Sequence, residues 1–186
     1  MKREKYKSGQ KALTPAQVKH LLAVIDNLQD EVLLKLAISG GIRRYDISRI
    51  TVDNLHLDEC YVEFSEKKKH GKIKRIYISQ DVANTIKKWV QIKPKGNQYL
   101  FPGRGKNPIS DKTCYNILQK YLQRAGLPLR PFHALRATAY KIAQANGWSV
   151  RQAAEHIGDS TRVAEEHYGT PSTEEMKDKA ISSPII

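Results

Sequence analysis

Arg43, His133, Arg136 and Tyr168, with a lysine from the run Lys67, Lys68, Lys69 and Lys72, supply the groups for attack of a phenol oxygen on a phosphodiester. A phosphodiester in transit gathers negative charge on its non-bridging oxygens. Guanidinium groups suit that load, because each offers parallel N–H donors and never loses its proton. Arg43 and Arg136 are placed to grip such a phosphate from two sides. A tyrosine hydroxyl, with an ordinary pKa of about 10, needs a base or nearby cations before it attacks, and His133 is the candidate base. A lysine on a flexible stem can protonate the departing oxygen. Lys69 has the best register of the four with the extended segment Arg75 to Ile78.

The elements that must position these groups are legible in outline. Thr14, Pro15 and Gln17 make a helix start with a capping box, and Val18, Leu21, Leu22 and Ile25 follow as one apolar stripe. A second helix is expected from Asp30 to Ser39, ended by Gly40-Gly41. A turn carrying Arg43 and Arg44 then leads into a short helix over Asp46 to Ile50. Tyr61 to Phe64 and Ile73 to Ile78 alternate as strands, joined into a hairpin by a long basic loop, Glu66 to Lys72. Asp81 is expected to cap the helix carrying Ile86 and Trp89, and Ser110 or Asp111 the next, which Gly126 stops. Phe132-His133 leads a helix to Asn146. Ser149 and Gln152 form another capping box, Gly158 breaks that helix, and a last short one carries Glu165 to Tyr168. Trp89 and Trp148 are expected in the core. The fold class is therefore mainly α with a small antiparallel β-sheet (α+β). Residues 1–12 read as a basic, flexible lead-in or linker stub, 13–169 as the working domain and 170–186 as a polar tail.

Bulk properties narrow the partners. The chain has 186 residues, enough for one domain, with 32 Lys+Arg against 19 Asp+Glu and a net charge of +13. That excess favours a polyanion partner such as nucleic acid. No apolar run approaches the roughly 20 residues of a membrane span, and the N-terminus has no signal-peptide pattern, which implies a soluble cytoplasmic protein. Cys60 and Cys114 are far apart and in no metal-ligand spacing, so both are expected free.

Several segments resemble, in order, the boxes of the tyrosine recombinase (phage integrase) family. Gly40-Gly41-Ile42-Arg43-Arg44-Tyr45-Asp46-Ile47 is similar to its first-arginine box, with Asp46 at the acidic position. Thr14 to Val18 resembles the opening of its catalytic domain, and Tyr99-Leu100-Phe101-Pro102 its Y-L-F-P segment. His133-Ala134-Leu135-Arg136-Ala137-Thr138 resembles its H-x-L-R-H-T box. Ile157-Gly158-Asp159-Ser160 falls where the family has L-G-H-S, and Tyr168 follows Asp159 by nine residues, as the family's nucleophile does. The similarity spans residues 14 to 169.

This resemblance implies a recombinase/integrase catalytic core that cuts and rejoins double-stranded DNA through a 3′-phosphotyrosyl intermediate, without cofactor or metal. It also implies a tetramer on DNA, in a phage, plasmid or prokaryotic host, with the tail as a possible contact between subunits. Family members also carry an N-terminal clamping domain, so the chain is expected to be either a fragment or a minimal form. Arg43, His133, Arg136 and Tyr168 take the roles above, and Lys69 that of the general acid. Asp159 stands where the family has a His or Trp. It can orient Arg43 or Arg136 or be protonated near DNA, and His156 can swing into the vacated position. The competing reading is a non-enzymatic or decayed DNA-binding protein, using Ser149 to Tyr168 as a helix-turn-helix. A metal-dependent nuclease is disfavoured, since its clustered carboxylates are missing from the sequence.

Overall fold

The computed structural model describes residues 8–183, apart from the side chains of Ser8, Lys69 and Glu174. Side-chain caps start most of its helices. In α1 (Pro15–Ala23), Thr14 Oγ1 accepts the Gln17 amide at 3.2 Å while Gln17 Oε1 accepts the Thr14 amide at 3.0 Å. Asn27 starts α2 (Leu28–Gly40), earlier than the sequence suggests, by accepting the Asp30 amide. Val32, Leu33, Leu34, Leu36, Ala37 and Ile38 of α2 are all buried, the pattern of a helix surrounded by protein. This helix is the central element, packed against α4 (Gln80–Ile92) and α6 (Ala134–Ala145).

Beyond α2 come α3 (Arg44–Ser48) and a three-stranded antiparallel sheet in the order β1 (Leu55–His56), β2 (Tyr61–Glu66), β3 (Lys72–Tyr77). Strand β1 is only two residues long, too short to show an alternation. The β2–β3 pairing runs from Tyr61 opposite Tyr77 to Glu66 opposite Lys72. The expected long loop is therefore a compact connection, with a 3-10 turn over Lys67–Lys69 and left-handed His70 and Gly71.

Helix α4 is capped by Ser79, not Asp81: the Ser79 hydroxyl accepts the Val82 amide. Asp81 lies inside the helix and pairs with Lys35 instead. Ser110 caps α5 (Asp111–Arg124), and the Ser149–Gln152 capping box forms at α7 (Val150–Ile157). Ser160 caps α8 (Thr161–Tyr168), which begins four residues before the expected Glu165. Within the expected tail, Ser172 and Glu175 form a capping box on α9 (Thr173–Ser182).

Two apolar clusters result. The larger surrounds α2 with Ile76, Ile86, Leu100, Phe101, Leu118 and Tyr121. The smaller joins α6, α7 and α8 through Ala137, Ala139, Ala153, Ala154 and Ala164, with Tyr140, Ile157 and Tyr168. Alanines let these three helices approach closely, and Tyr168 is set in the resulting cluster.

Residues 8–12 correct the flexible reading of the lead-in. A 3-10 turn over Ser8–Lys11 packs on α6 and α8, and the Leu13 amide donates to Thr138 Oγ1 at 2.8 Å. Residues 1–7 of that segment lie outside the described residues. Trp89 is buried as expected, its indole N–H donating to the Leu100 carbonyl. Trp148 is 42% exposed, its ring meeting His156 edge-on. No described helix is long and apolar enough to cross a membrane.

Candidate active site

Four segments meet at one place. Gly41 ends α2 in the left-handed conformation, and a Cβ there would lie 2.7 Å from Ile157 Cγ2. The absence of a side chain therefore lets the end of α2 press onto α7. The chain then enters α3 with Arg43 at its N-cap position, its side chain turned toward β2 and the Gly158-Asp159 turn. His133 immediately precedes α6 and Arg136 follows one turn later, a spacing that places both on one face. Tyr168 is the last residue of α8.

The side chains form a continuous polar network. Arg136 is 2% exposed; its Nη1 donates to the Gly41 carbonyl at 2.7 Å and its Nε to both Asp159 Oδ2 and the Tyr168 hydroxyl at 3.1 Å. Its Nη2 lies 2.7 Å from Asp159 Oδ2, a charge contact whose geometry makes no hydrogen bond, so this buried nitrogen keeps unused donor capacity. Arg43 pairs through Nη2 with Asp159 Oδ1 at 2.9 Å and through Nη1 with Glu66 at 2.6 Å. The Tyr168 hydroxyl donates to Asp159 Oδ2 at 3.0 Å and lies 3.1 Å from His133 Nε2.

Each ionisation responds to this setting. Burial works against the Asp159 carboxylate, but Arg136 and then Arg43 outweigh it and hold its pKa below the ordinary value. Burial raises the Tyr168 phenol, with Asp159 adding to the rise and Arg136 opposing it. His133 borders an open cleft, yet loss of solvent around its ring, followed by the charge of Arg136, pushes it down to about 4. At neutral pH the site thus holds a neutral imidazole, a neutral phenol and an ionised Asp159.

The cleft beside this network has a volume of about 710 Å³, and Arg43, Arg44, Tyr45, Lys67, Lys68 and His133 are among its walls. Lys67 and Arg49 both stack on the Tyr45 ring, a residue to which the sequence assigned no role. Lys68 is near enough for its charge to bear on His133. The side chain of Lys69 lies outside the described residues, and its backbone belongs to the same turn. The Asp46 carboxylate accepts the Lys67 amide at 3.2 Å, fastening that turn to α3, and burial raises its pKa.

Arg43, His133, Arg136, Asp159 and Tyr168 are therefore together. His156 is not with them: its Nε2 is bound to the Ser39 carbonyl at 2.8 Å, so it occupies a structural position behind α2 and does not fill the place beside Asp159. Sequence reasoning missed Glu66, which is 2% exposed and bound to Arg43. A signal was available, because the two-residue rhythm that buries Val62 and Phe64 also turns Glu66 inward. No group of three or more His, Cys, Asp or Glu that could hold a metal ion occurs among the described residues.

Residues 11–170 match the model of the phage integrase family. Tyrosine recombinase XerA of Pyrococcus horikoshii is 25% identical over 183 residues, covering 97% of this chain and 64% of that protein. XerA of Pyrococcus furiosus is 25% identical over 173 residues, covering 90% of this chain and 60% of the relative. The chain thus spans less than two thirds of the length of these relatives. Among solved structures, a XerA recombinase superposes with a TM-score of 0.80 at 15% identity, over 92% of this chain and 64% of that one. XerH site-specific recombinase bound to a palindromic difH substrate gives 0.75 at 15% identity, over 95% and 53%. A lambda integrase dimer bound to a core site gives 0.66 at 18% identity, over 84% and 58%. At these identities the superpositions establish the fold, that of the catalytic region of such enzymes.

Proposed function

The chain belongs to the phage integrase family, and on that premise we propose that it is a site-specific DNA recombinase acting through a 3′-phosphotyrosyl intermediate on Tyr168. The observation that carries this reading is the convergence of one phenol with two guanidinium groups and an imidazole. The phenol oxygen is within 3.1 Å of both Arg136 Nε and His133 Nε2, and Arg43 reaches the same Asp159 carboxylate from the other side. Arg136 Nη2 already meets a carboxylate oxygen at 2.7 Å, and a phosphate oxygen brought to the same place would take up an equivalent charged contact.

In the proposed reaction Arg43 and Arg136 hold the non-bridging oxygens of the scissile phosphate. The phenol loses its proton to a neighbouring acceptor, for which His133 and Asp159 are the two candidates. Its oxygen attacks phosphorus, and the 5′ oxygen leaves with a proton from the hairpin, where Lys69 and its neighbours Lys67 and Lys68 stand. Attack by a 5′ hydroxyl on the phosphotyrosine reverses the sequence and joins the new strand. The bond energy is kept in the phosphotyrosine, so the chemistry calls for no nucleotide cofactor.

Double-stranded DNA is the proposed partner, supported by the +13 charge and by the basic cleft walls. DNA-bound neighbours that include a dimer support assembly on the substrate, and we infer a tetramer joining two sites. Met176 and Ile181 on α9 are 57% and 81% exposed, which suits the tail for contact with a neighbouring subunit. The proposed location is the cytoplasm, on DNA.

A nicked suicide substrate tests the reaction, because release of a short strand traps the covalent intermediate. The wild-type chain should yield a denaturant-resistant protein–DNA adduct in the presence of EDTA, and Tyr168→Phe should yield none. Binding without adduct in the wild type would instead favour a DNA-binding protein that no longer cuts.

A further inference from the structure

We propose that Asp159 is the catalytic residue that takes the phenol proton of Tyr168 during strand cleavage and returns it during rejoining. This deepens the phosphotyrosine reading and rests on it. The position is one where the resemblance leads to a His or Trp, so nothing carried over from the family supplies the role.

Three polar atoms surround the Tyr168 oxygen. Arg136 Nε, at 3.1 Å, can only donate. Asp159 Oδ2, at 3.0 Å, can only accept while it is ionised. His133 Nε2, at 3.1 Å, can do either, according to its tautomer. The single hydroxyl hydrogen thus has a fixed acceptor in Asp159, which leaves His133 free to donate to the phenol oxygen.

The charges around the group favour the same assignment. Asp159 faces Arg43 from α3 and Arg136 from α6, with Glu66 of β2 beyond Arg43 and Tyr168 of α8 below. Glu66 and Lys74 also lie beside the neighbouring Gly158. A proton on the His133 ring is opposed by burial and by the charges of Arg136, Arg43 and Lys68, which together outweigh the attraction of Asp159. An incoming phosphate shares the two guanidinium groups with Asp159 and sets a like charge beside its carboxylate. Both changes increase the affinity of Asp159 for a proton. Transfer then removes a negative charge from beside phosphorus as charge accumulates on the phosphoryl oxygens.

The step balances in both directions. In cleavage, the Tyr168 O–H bond breaks and an O–H bond forms on Asp159. The phenol oxygen then bonds to phosphorus, and the P–O bond to the 5′ oxygen breaks. In rejoining, the 5′ hydroxyl returns its proton to the hairpin lysine and bonds to phosphorus, the P–O bond to Tyr168 breaks, and the departing phenolate recovers its proton from Asp159.

The test measures single-turnover adduct formation on a nicked suicide substrate whose leaving oxygen is replaced by sulfur. The thiolate leaves without a proton, so the profile reports the phenol step. Rates are followed from pH 6 to pH 10 for the wild type, Asp159→Asn and His133→Gln. We expect the wild-type rate to be level from pH 6.5 to 9. Asp159→Asn should be slower by roughly 10²–10³-fold at pH 7, within the range for a positioned base. Its rate should then climb about tenfold per pH unit, as solvent base generates the phenolate, so that the deficit narrows toward pH 10. A merely structural loss would lower the rate by one factor at every pH and would overturn the assignment. So would an Asp159→Asn rate equal to or above wild type, or the sloping profile appearing in His133→Gln instead. Absence of any Tyr168-dependent adduct in the wild type would overturn the phosphotyrosine reading itself, and this proposal with it.

Discussion

Arg43 bridges two carboxylates, Glu66 on the sheet and Asp159 at the end of α7, and Glu66 is 2% exposed. Truncating one member of such a pair leaves a charge desolvated without its counter-ion. Arg43→Ala should therefore destabilise the fold by about 3 kcal/mol, as well as weakening phosphate binding. Arg43→Lys should lose less stability, because one ammonium retains the charge but cannot span both partners as the planar fork does. Urea denaturation at pH 7 checks the order, and an Arg43→Ala variant as stable as wild type would show that the pair contributes nothing to the fold. The histidines make a separate claim. Burial comes first in depressing both His133 and His156, and His133 falls to about 4. Below the ordinary histidine value of about 6.5, the unfolded chain binds protons that the folded chain refuses, so their contribution is intact above that pH and is lost as pH falls. The urea midpoint should drop between pH 7 and pH 5, and His156→Gln should flatten the drop.

The site's accuracy is set where elements end. Gly41 closes α2 at φ +57°, its carbonyl accepts from Arg136, and its bare α-carbon faces Ile157. Gly41→Ala adds left-handed strain to a close contact and should cost about 2–3 kcal/mol. Adduct formation should fall by more than the folded fraction alone predicts, because Arg43 and Arg136 are both referenced to that turn. A urea titration beside a single-turnover assay separates the two losses. Much of this was legible in advance, because capping chemistry is local: Thr14 with Gln17 and Ser149 with Gln152 announce α1 and α7. The same rule, applied to Ser160 and to Ser172 with Glu175, reads the start of α8 and all of α9. The hairpin loop was harder, since its compactness depends on Asp46 holding the Lys67 amide from another element. Trp148 was misplaced because a large apolar residue says nothing about whether a neighbouring helix covers it.

At the scale of the whole molecule, the order of Arg43, His133, Arg136 and Tyr168 could be read along the chain, but the pairing of two carboxylates with the arginines could not. The pairing of Asp159 with Arg43 joins residues 116 positions apart and that with Arg136 residues 23 apart, and no periodicity encodes such contacts. Glu66 and Asp159 also alter the meaning of the net charge. They neutralise Arg43 and Arg136 locally, so attraction toward DNA arises mostly from the outer cations of the cleft and surface, Arg44, Lys67 and Lys68 among them. These side chains contact phosphates by releasing condensed counterions, which makes affinity steeply dependent on salt. About six such contacts give a log–log slope of roughly −5, and an affinity loss of about 10³-fold between 50 and 200 mM salt. Asp159→Asn should steepen that slope by about 1 unit as well as slow cleavage, because it uncovers guanidinium charge for a phosphate contact. Charge reversal at Lys67 and Lys68 should make it shallower by about 2 units. Fluorescence anisotropy with a short duplex across a salt series measures each slope. A wild-type slope shallower than −2 would mean that the basic surface does not meet the DNA backbone.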